Sequence, residues 1–284
     1  MNEQRKIVWL ASYPKSGNTW FRIFLTNLLN HTNEPANINN LYPSTIASSR
    51  SLLDEATGLE SSNLTLDEIE LLRPQVYRYV AETSSEILYH KIHDAWISLP
   101  DGNTLVPEEV TKAVLYFIRN PLDVAISFAH HSATTIDKAI EMMNNSQYAF
   151  CGRETKLHNQ TRQRLLSWSE HVASWIDQSG LPLLVMRYED ILTDTFAVFK
   201  DALKFCGIEA TDEKICKSIE FSSFENIKKQ EQEKGFREKA AKSESFFRKG
   251  ISGDWKYVLT KEQIDKIVSR HKKMMERFGY WSCG

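Results

Sequence analysis

The sequence has few cysteines and no long apolar run. Its four cysteines, Cys151, Cys206, Cys216 and Cys283, are widely separated and form no C-x-x-C pair. Scattered cysteines of this number predict a reducing compartment. They also predict no zinc site, because metal ligands need closely spaced pairs to share one ion. No apolar run approaches the roughly 20 residues of a membrane span, and the chain from Met1 onward shows no signal peptide. We therefore expect a soluble, cytoplasmic protein.

The sequence also lacks an excess of charge of either sign. Lys and Arg together number 35 and Asp and Glu 37, a formal net charge of −2. A chain with this balance is not attracted as a whole to nucleic acid or to an anionic membrane, so any anion site must be a local cluster of basic groups. Hydrophobic residues make up 42% of the chain, which suffices for a large core. Because no internal repeat or low-complexity linker is visible, we predict one domain over residues 1–284.

Apolar runs and helical periodicities alternate along the chain and predict an α/β fold. Four strands are predicted, at 7–11, 87–93, 113–118 and 181–186. Helices are predicted around 160–178, 195–206 and 212–220, and from Thr260 onward, where His271 belongs to the apolar face. Thr65 opens a further helical stretch that we expect Pro74 to interrupt or restart. Such alternation predicts a central parallel sheet with helices on both faces.

The first strand leads into a loop and helix suited to a phosphate. Gly17 allows close backbone approach, the hydroxyls of Ser16 and Thr19 lie at the start of the helix, and Lys15 adds a positive charge. The unpaired N–H groups and the dipole of a helix N-terminus favour an anion. The alternative is an ordinary strand-to-helix turn with an exposed lysine. The spacing is not that of a nucleoside-triphosphate loop, in which Lys and Ser or Thr follow the second of two glycines.

Three separated segments carry a family resemblance. They are Tyr13-Pro14-Lys15-Ser16-Gly17-Asn18-Thr19-Trp20, Arg119-Asn120-Pro121-Leu122-Asp123-Val124-Ala125-Ile126-Ser127, and Arg248-Lys249-Gly250 through Gly253-Asp254-Trp255-Lys256. In this order they resemble the cytosolic sulfotransferases that use 3′-phosphoadenosine 5′-phosphosulfate (PAPS). The third segment matches that family's R-K-G-x-x-G-D-W-K signature at every fixed position. The resemblance runs from the first strand to the last helix and is weakest in two acceptor-side insertions, roughly 31–86 and 131–159.

The resemblance implies one α/β domain with a P-loop-like strand-loop-helix, and a set of nucleotide contacts. The 5′-phosphosulfate would lie against the loop residues Lys15, Ser16, Gly17, Asn18 and Thr19. The adenine would contact three aromatic residues, for each of which core packing is the alternative: Trp20, Tyr188 and Phe224. The 3′-phosphate would be held by Arg119, Ser127, Arg248, Lys249 and Gly250. No metal is implied.

A Lys-x-His pair on the second strand is the candidate catalytic element. Lys91 and His93 point to one side because residues two apart on a strand share a face. By resemblance, His93 would be the general base that accepts the acceptor proton, while Lys15 and Lys91 would stabilise the developing charge. The family commonly continues with Leu-Pro after this histidine, whereas this chain has Asp94-Ala95. That difference bears on the class of acceptor, which we expect to be a small molecule with a hydroxyl or amine.

Two other functions fit parts of the pattern. A phosphotransferase on a similar sheet would need a divalent metal and would accept ATP, and a nucleotide-binding protein could retain the fold without catalysis. The family's dimer motif, K-x-x-x-T-V-x-x-x-E, would fall at Lys256, Thr260, Lys261 and Asp265. Because a lysine replaces its valine and an aspartate its glutamate, we expect a monomer or a different dimer interface.

Overall fold

The computed structural model describes residues 5–30, 33–42, 46–240 and 242–282. Cys283 and parts of the polar segment 31–62 lie outside these ranges. The three cysteines within them, Cys151, Cys206 and Cys216, are not disulfide-bonded.

Four strands form a central sheet, and two short strands pair separately. In chain order the strands are β1 (Ile7–Ser12), β2 (Leu88–Ile92), β3 (Thr111–Ile118), β4 (Ala149–Phe150), β5 (Gln163–Arg164) and β6 (Leu183–Arg187). The sheet order is β2-β1-β3-β6, and β4 pairs antiparallel with β5. β1 and β2 run parallel, in a register from Ile7 opposite Leu88 to Ala11 opposite Ile92. The predicted α/β class with a central parallel sheet is confirmed.

Twelve α-helices occur in the described residues. They are α1 (Asn18–Leu29), α2 (Arg50–Thr57), α3 (Leu66–Thr83), α4 (Pro121–Ser132), α5 (Ile136–Asn144), α6 (Trp168–Ala173), α7 (Tyr188–Thr193), α8 (Thr195–Cys206), α9 (Asp212–Phe221), α10 (Phe224–Lys234), α11 (Trp255–Val258) and α12 (Lys261–Arg277). A five-residue π-helical turn, Ser174–Gln178, follows α6 directly.

The chain divides into two compact units. The first comprises Met1–Tyr13, Thr45–Tyr116 and Ser146–Leu184, and it contains β1, β2, α2, α3 and α6. The second comprises Pro14–Ser44, Phe117–Asn145 and Val185–Gly284. Within the second unit, α4 packs against α5 and α12, and α9 packs against α1 and α8. The assignment of residues 1–284 to one domain stays a prediction.

Most predicted helices are confirmed, since their signals are local. Thr65 and Glu68 form a capping box at the start of α3, and Thr260 and Gln263 form one at the start of α12. Each box satisfies backbone N–H groups that the first helical turn leaves without partners. His271 on α12 is buried, as its place on the apolar face predicts.

Pro74 neither interrupts nor restarts its helix, so that prediction was wrong. α3 continues through Pro74 to Thr83. A proline inside a helix costs about 3 kcal/mol through a lost hydrogen bond and a steric clash. Ion pairs hold the helix just before the proline, from Glu70 to Arg162 and from Arg73 to Asp94. Tyr77, one turn later, is fully buried. We attribute the continuity of α3 to this packing.

The helix predicted over 160–178 is shorter than expected. It begins at Trp168, where Ser167 and Glu170 form a capping box, because the preceding residues Gln163–Arg164 pair with β4 instead. Segments without a clear helical signal also contain helices. α2 lies in the first acceptor-side insertion, where Ser49 caps its start. α5 lies in the second, and α10 in the charged stretch after Ser222.

Candidate active site

The loop after β1 has the geometry of an anion site. Gly17 caps the start of α1 with φ 106° and ψ −6°, and the helix begins at Asn18. Ser16, Asn18 and Thr19 are buried at the start of the helix, whereas Lys15 is partly buried. Within the described part of the chain, no group hydrogen-bonds to the buried Ser16 Oγ. A buried hydroxyl without a protein partner next to the open N–H groups of a helix fits a phosphate oxygen.

The two predicted loop glycines lie against two of the predicted adenine-contacting rings. A Cβ atom on Gly17 would lie 2.8 Å from Cδ2 of Tyr188, and a Cβ atom on Gly250 would overlap the ring of Phe224. Gly250 also has a positive φ, 67°. Both positions therefore need glycine, because only glycine combines this backbone conformation with such close approach.

We expect Gly17→Ala to weaken nucleotide binding more than it weakens the fold. The new methyl group would displace Tyr188, and the positive φ would cost about 1–3 kcal/mol. Gly102→Ala is the matched control, because Gly102 has φ 84° and open space where a Cβ would lie. Thermal unfolding and calorimetric titration with 3′-phosphoadenosine 5′-phosphate (PAP) measure the two effects. If both variants retained the same affinity, the close approach of Gly17 to Tyr188 would have no role in binding.

Arg119 joins the loop to the R-K-G segment within the second unit. It follows β3 directly, and its guanidinium donates to the carbonyl oxygens of Lys15 (3.2 Å) and Ile251 (2.9 Å). The guanidinium carbon also lies 4.3 Å from the centre of the Tyr188 ring. Arg119 Nε is buried and has no hydrogen-bond partner in the described residues, so a donor remains for a ligand. Ser127, on α4, is buried as well.

Arg248 and Lys249 are held side by side by one carboxylate. Asp254 forms ion pairs with Arg248 (2.7 Å) and with Lys249 (2.8 Å). The hydrogen bonds from Lys249 and Arg248 keep the pKa of Asp254 below its ordinary value, so it is ionised at neutral pH. The cluster therefore has two cations and one anion, and its net positive charge suits a phosphate.

Two carboxylates that the sequence interpretation missed hold this segment in place. Asp123, fully buried in the first turn of α4, accepts hydrogen bonds from the backbone N–H groups of Gly253 (2.7 Å) and Trp255 (3.1 Å). Glu231 on α10 accepts hydrogen bonds from the backbone N–H groups of Phe246 and Phe247. Asp123 lies within a quoted motif, so a buried acid there could have been suspected. Nothing in the sequence distinguishes Glu231 from the other charged residues of the stretch after Ser222.

Lys15 is also bound to this segment. Its ammonium lies 3.7 Å from the centre of the Phe246 ring and 3.4 Å from the Phe246 carbonyl oxygen. Its backbone has φ 69°, which is uncommon for a residue with a side chain. Lys15, which is predicted to contact the 5′-phosphosulfate, therefore lies beside the chain segment that leads to Arg248.

The predicted adenine-contacting aromatics show two kinds of environment. The Trp20 indole N–H donates to the Ser222 carbonyl oxygen (2.9 Å), and its ring makes an edge contact with Tyr188 at 6.2 Å between centres. Trp20 is only partly buried, which leaves ring surface for a ligand. Phe224 packs against the apolar cluster that includes Phe247. For Phe224 the core-packing alternative therefore has support.

The candidate catalytic pair lies in the first unit. Lys91 is buried at the end of β2, and His93 is partly buried just beyond that strand. His93 Nδ1 lies 2.9 Å from the Ser12 carbonyl oxygen and 3.2 Å from Ser12 Oγ. Because a carbonyl oxygen can only accept, Nδ1 carries the proton, and in the neutral ring the lone pair is on Nε2. Sequence reasoning missed Ser12, which follows the last pair of the β1–β2 register, Ala11 opposite Ile92.

All residues predicted to hold the nucleotide belong to the second unit, whereas Lys91 and His93 belong to the first. Among the described residues, no group of three or more His, Cys, Asp or Glu could hold a metal ion. In the same residues, no helix is long and apolar enough to span a bilayer.

Comparison with known proteins gives consistent matches. The family model for the sulfotransferase domain matches residues 5–279. A 3-beta-hydroxysteroid sulfotransferase from Cavia porcellus is 30% identical over 161 residues, 54% of this chain and about half the length of that relative, 54%. A flavonol 3-sulfotransferase from Flaveria bidentis is 25% identical over 280 residues, which cover 92% of this chain and 78% of that protein. The crystal structure of mouse sulfotransferase SULT7A1 complexed with PAP has a TM-score of 0.62 at 17% identity and covers 98% of this chain and 89% of that chain.

Proposed function

Because this chain belongs to the sulfotransferase domain family, we propose that it transfers a sulfuryl group from PAPS to a hydroxyl or amine of a small-molecule acceptor and releases PAP. The observation that carries this proposal is the contact made by Arg119, which links the Lys15 loop to the segment with Arg248 and Lys249 inside one unit. Two clusters of phosphate-binding groups joined in this way suit a nucleotide with phosphates at both its 5′ and 3′ positions. Retained Lys91 and His93 support an active enzyme.

The residues of the second unit would bind and orient the donor, which supplies the sulfuryl group. The N–H groups at the start of α1, with the hydroxyls of Ser16 and Thr19, would hold the 5′-phosphosulfate. Lys15 would move from Phe246 toward the bridging oxygen, where negative charge grows as the bond to sulfur breaks. Arg119, Ser127, Arg248, Lys249 and the N–H of Gly250 would hold the 3′-phosphate. Such preorganised charge is the main contribution a protein makes to transfers of this kind.

His93 would act as the general base. Its Nδ1–H donates to Ser12, so the lone pair on Nε2 would accept the proton of the acceptor hydroxyl or amine during in-line transfer. Lys91 would stabilise charge on the sulfuryl oxygens. In this proposal the cationic side chains would take the place of the divalent cation that a phosphotransferase uses.

The acceptor is a small molecule in this proposal. The matched relatives are named for a 3-beta-hydroxysteroid and a flavonol, and both names denote small organic molecules that carry hydroxyl groups. We extend that class, a hydroxyl on a small organic molecule, to this chain. The protein would work in the cytoplasm as a monomer, or as a dimer through a surface other than the degraded family motif.

Calorimetric titration without added metal tests the donor class. The purified protein is titrated in parallel with PAP, 5′-AMP and ATP. We expect micromolar affinity for PAP and a loss of at least about tenfold for 5′-AMP, because removal of the 3′-phosphate leaves Arg248 and Lys249 without their ligand. Equal or tighter binding of ATP, particularly with a requirement for magnesium, would favour a phosphotransferase and contradict the proposal.

A further inference from the structure

Asp94, the residue after His93, is at the centre of a buried charge pair. Its carboxylate is fully buried and accepts two parallel hydrogen bonds from Arg73, Oδ1 from Nη1 at 2.8 Å and Oδ2 from Nη2 at 2.7 Å. The N–H of Arg164 donates to the same carboxylate at 3.2 Å. Arg73 is held in turn by the hydroxyl of Tyr77 (3.0 Å) and the carbonyl oxygen of Arg162 (2.9 Å). The carboxylate beside His93 is thus connected to α3 and to β5.

The backbone around His93 is bound at three further points of the first unit. His171 Nε2 lies 3.1 Å from the His93 carbonyl oxygen, and the Trp175 indole N–H donates to the Asp94 carbonyl oxygen at 2.9 Å. The N–H of Ala95 donates to the Arg164 carbonyl oxygen at 2.7 Å. Every peptide group from His93 to Ala95 therefore takes part in a hydrogen bond to a different part of the unit, which leaves little freedom for the backbone that carries the imidazole.

His171 can serve this purpose because it stays neutral in one tautomer. Its Nε2 must carry the proton, since the His93 carbonyl oxygen can only accept, and its Nδ1 then accepts from the Tyr116 hydroxyl at 2.8 Å. Burial lowers the pKa of His171 to about 4, so the ring remains uncharged near neutral pH. Near neutral pH the ring therefore keeps both roles, as donor to the His93 carbonyl oxygen and as acceptor from the Tyr116 hydroxyl.

The buried ion pair of Arg73 and Asp94 is better explained by a role in positioning the backbone next to it than by a contribution to the free energy of unfolding. Replacing a buried ion pair by apolar residues of similar size is often neutral or stabilising, because the desolvation of both charges offsets their attraction. The family commonly has Leu-Pro after the catalytic histidine. This chain has instead the charged residue Asp94, whose ionic partner Arg73 lies 21 residues earlier in the sequence. Misplacement of a catalytic group by about 1 Å can cost about 100-fold in rate.

We infer that Arg73, Asp94 and Trp175 are positioning residues that hold the backbone of His93 so that its ring keeps the hydrogen bond to Ser12 and the lone pair on Nε2. They contact neither donor nor acceptor and act through His93 alone. This inference rests on the proposed function insofar as it assigns His93 the role of general base.

The test is the double variant Arg73→Met/Asp94→Leu, which removes both charges and leaves neither buried alone. We expect kcat for sulfuryl transfer to fall about 10- to 100-fold, while the affinity for PAP stays within about twofold of wild type. The matched control is Arg78→Met/Glu109→Gln, which removes another ion pair of α3, one that is partly exposed. The control should keep wild-type kcat.

A spectroscopic measurement separates this inference from the function itself. In protein with 15N-labelled histidine rings, the shifts of His93 should show the Nδ1–H tautomer in wild type and in the control, and a mixture of tautomers in Arg73→Met/Asp94→Leu. This readout needs no turnover, so absence of sulfotransferase activity in wild type would contradict the proposed function without deciding the positioning role. A folded double variant with the wild-type tautomer and, where activity is present, wild-type kcat overturns the inference.

A milder variant covers the case in which the double variant does not fold. Trp175→Phe keeps a buried ring and removes only the N–H that donates to the Asp94 carbonyl oxygen. We expect a threefold to tenfold lower kcat, roughly the effect of one hydrogen bond, with unchanged PAP affinity. Wild-type kcat together with a wild-type His93 tautomer in this variant would overturn the inference as well.

Discussion

Replacing His93 by alanine lowers kcat by about 10²- to 10⁴-fold and leaves the affinity for PAP as in wild type, which is the largest effect that we expect of a single substitution. The imidazole is oriented by the hydrogen bond from Nδ1 to the Ser12 carbonyl oxygen, so its Nε2 is the basic atom. Alanine removes that base. The residues assigned to the nucleotide belong to the other unit and stay in place, so binding and catalysis should separate.

Steady-state kinetics and calorimetry on the same preparation measure this separation. His158→Ala is the matched control, because His158 is also a partly buried histidine of the first unit and has no role in the proposed chemistry. It should keep wild-type kcat. Free imidazole added to His93→Ala should restore part of the rate, since it supplies the missing base. Near-wild-type turnover by His93→Ala with intact PAP binding would show that another group accepts the proton.

Arg248→Ala weakens PAP binding by about 10- to 100-fold and leaves the weaker binding of 5′-AMP unchanged. The guanidinium is paired with Asp254, which also holds Lys249 next to it. A charge-assisted hydrogen bond contributes about 1.5–3 kcal/mol, which corresponds to roughly one to two powers of ten in affinity. Part of this loss is indirect, because Asp254 then lies opposite Lys249 alone and reduces the positive charge available to a phosphate.

Titration of the variant with PAP and with 5′-AMP isolates the 3′-phosphate contribution. Lys261→Ala, which removes an exposed lysine of α12 outside the site, is the control and should bind both ligands like wild type. Arg248→Lys should be intermediate, since it keeps the charge but loses the planar fork that pairs with two oxygens. Equal loss of affinity for PAP and 5′-AMP would indicate that Arg248 supports the fold of the segment and does not bind the 3′-phosphate.

The sequence alone determined the features of this protein that depend on neighbouring residues. The apolar run of β1, the loop with Lys15 and Gly17, and the capping boxes at Thr65 and Thr260 are short-range signals, and the structure contains each of the elements that they predict. The three motifs also identified the family, because the residues that we propose to bind phosphates lie in segments with fixed local spacings. The same local reasoning was wrong at Pro74, where the contacts of Glu70 and Arg73 with distant residues outweigh the propensity of proline to end a helix.

Only the tertiary structure decided which groups hold the functional residues in position. Three contacts join residues that lie far apart in the chain. Ser12 lies beside His93, Asp123 accepts a hydrogen bond from the Gly253 N–H, and Arg73 pairs with Asp94. A sequence records residue types and spacings, and the partner of a buried carboxylate or imidazole depends on which strands and helices become neighbours. Local chemistry therefore determined what this protein binds in our proposal, while the packing of distant segments determined the tautomer of its proposed base and the placement of its charges.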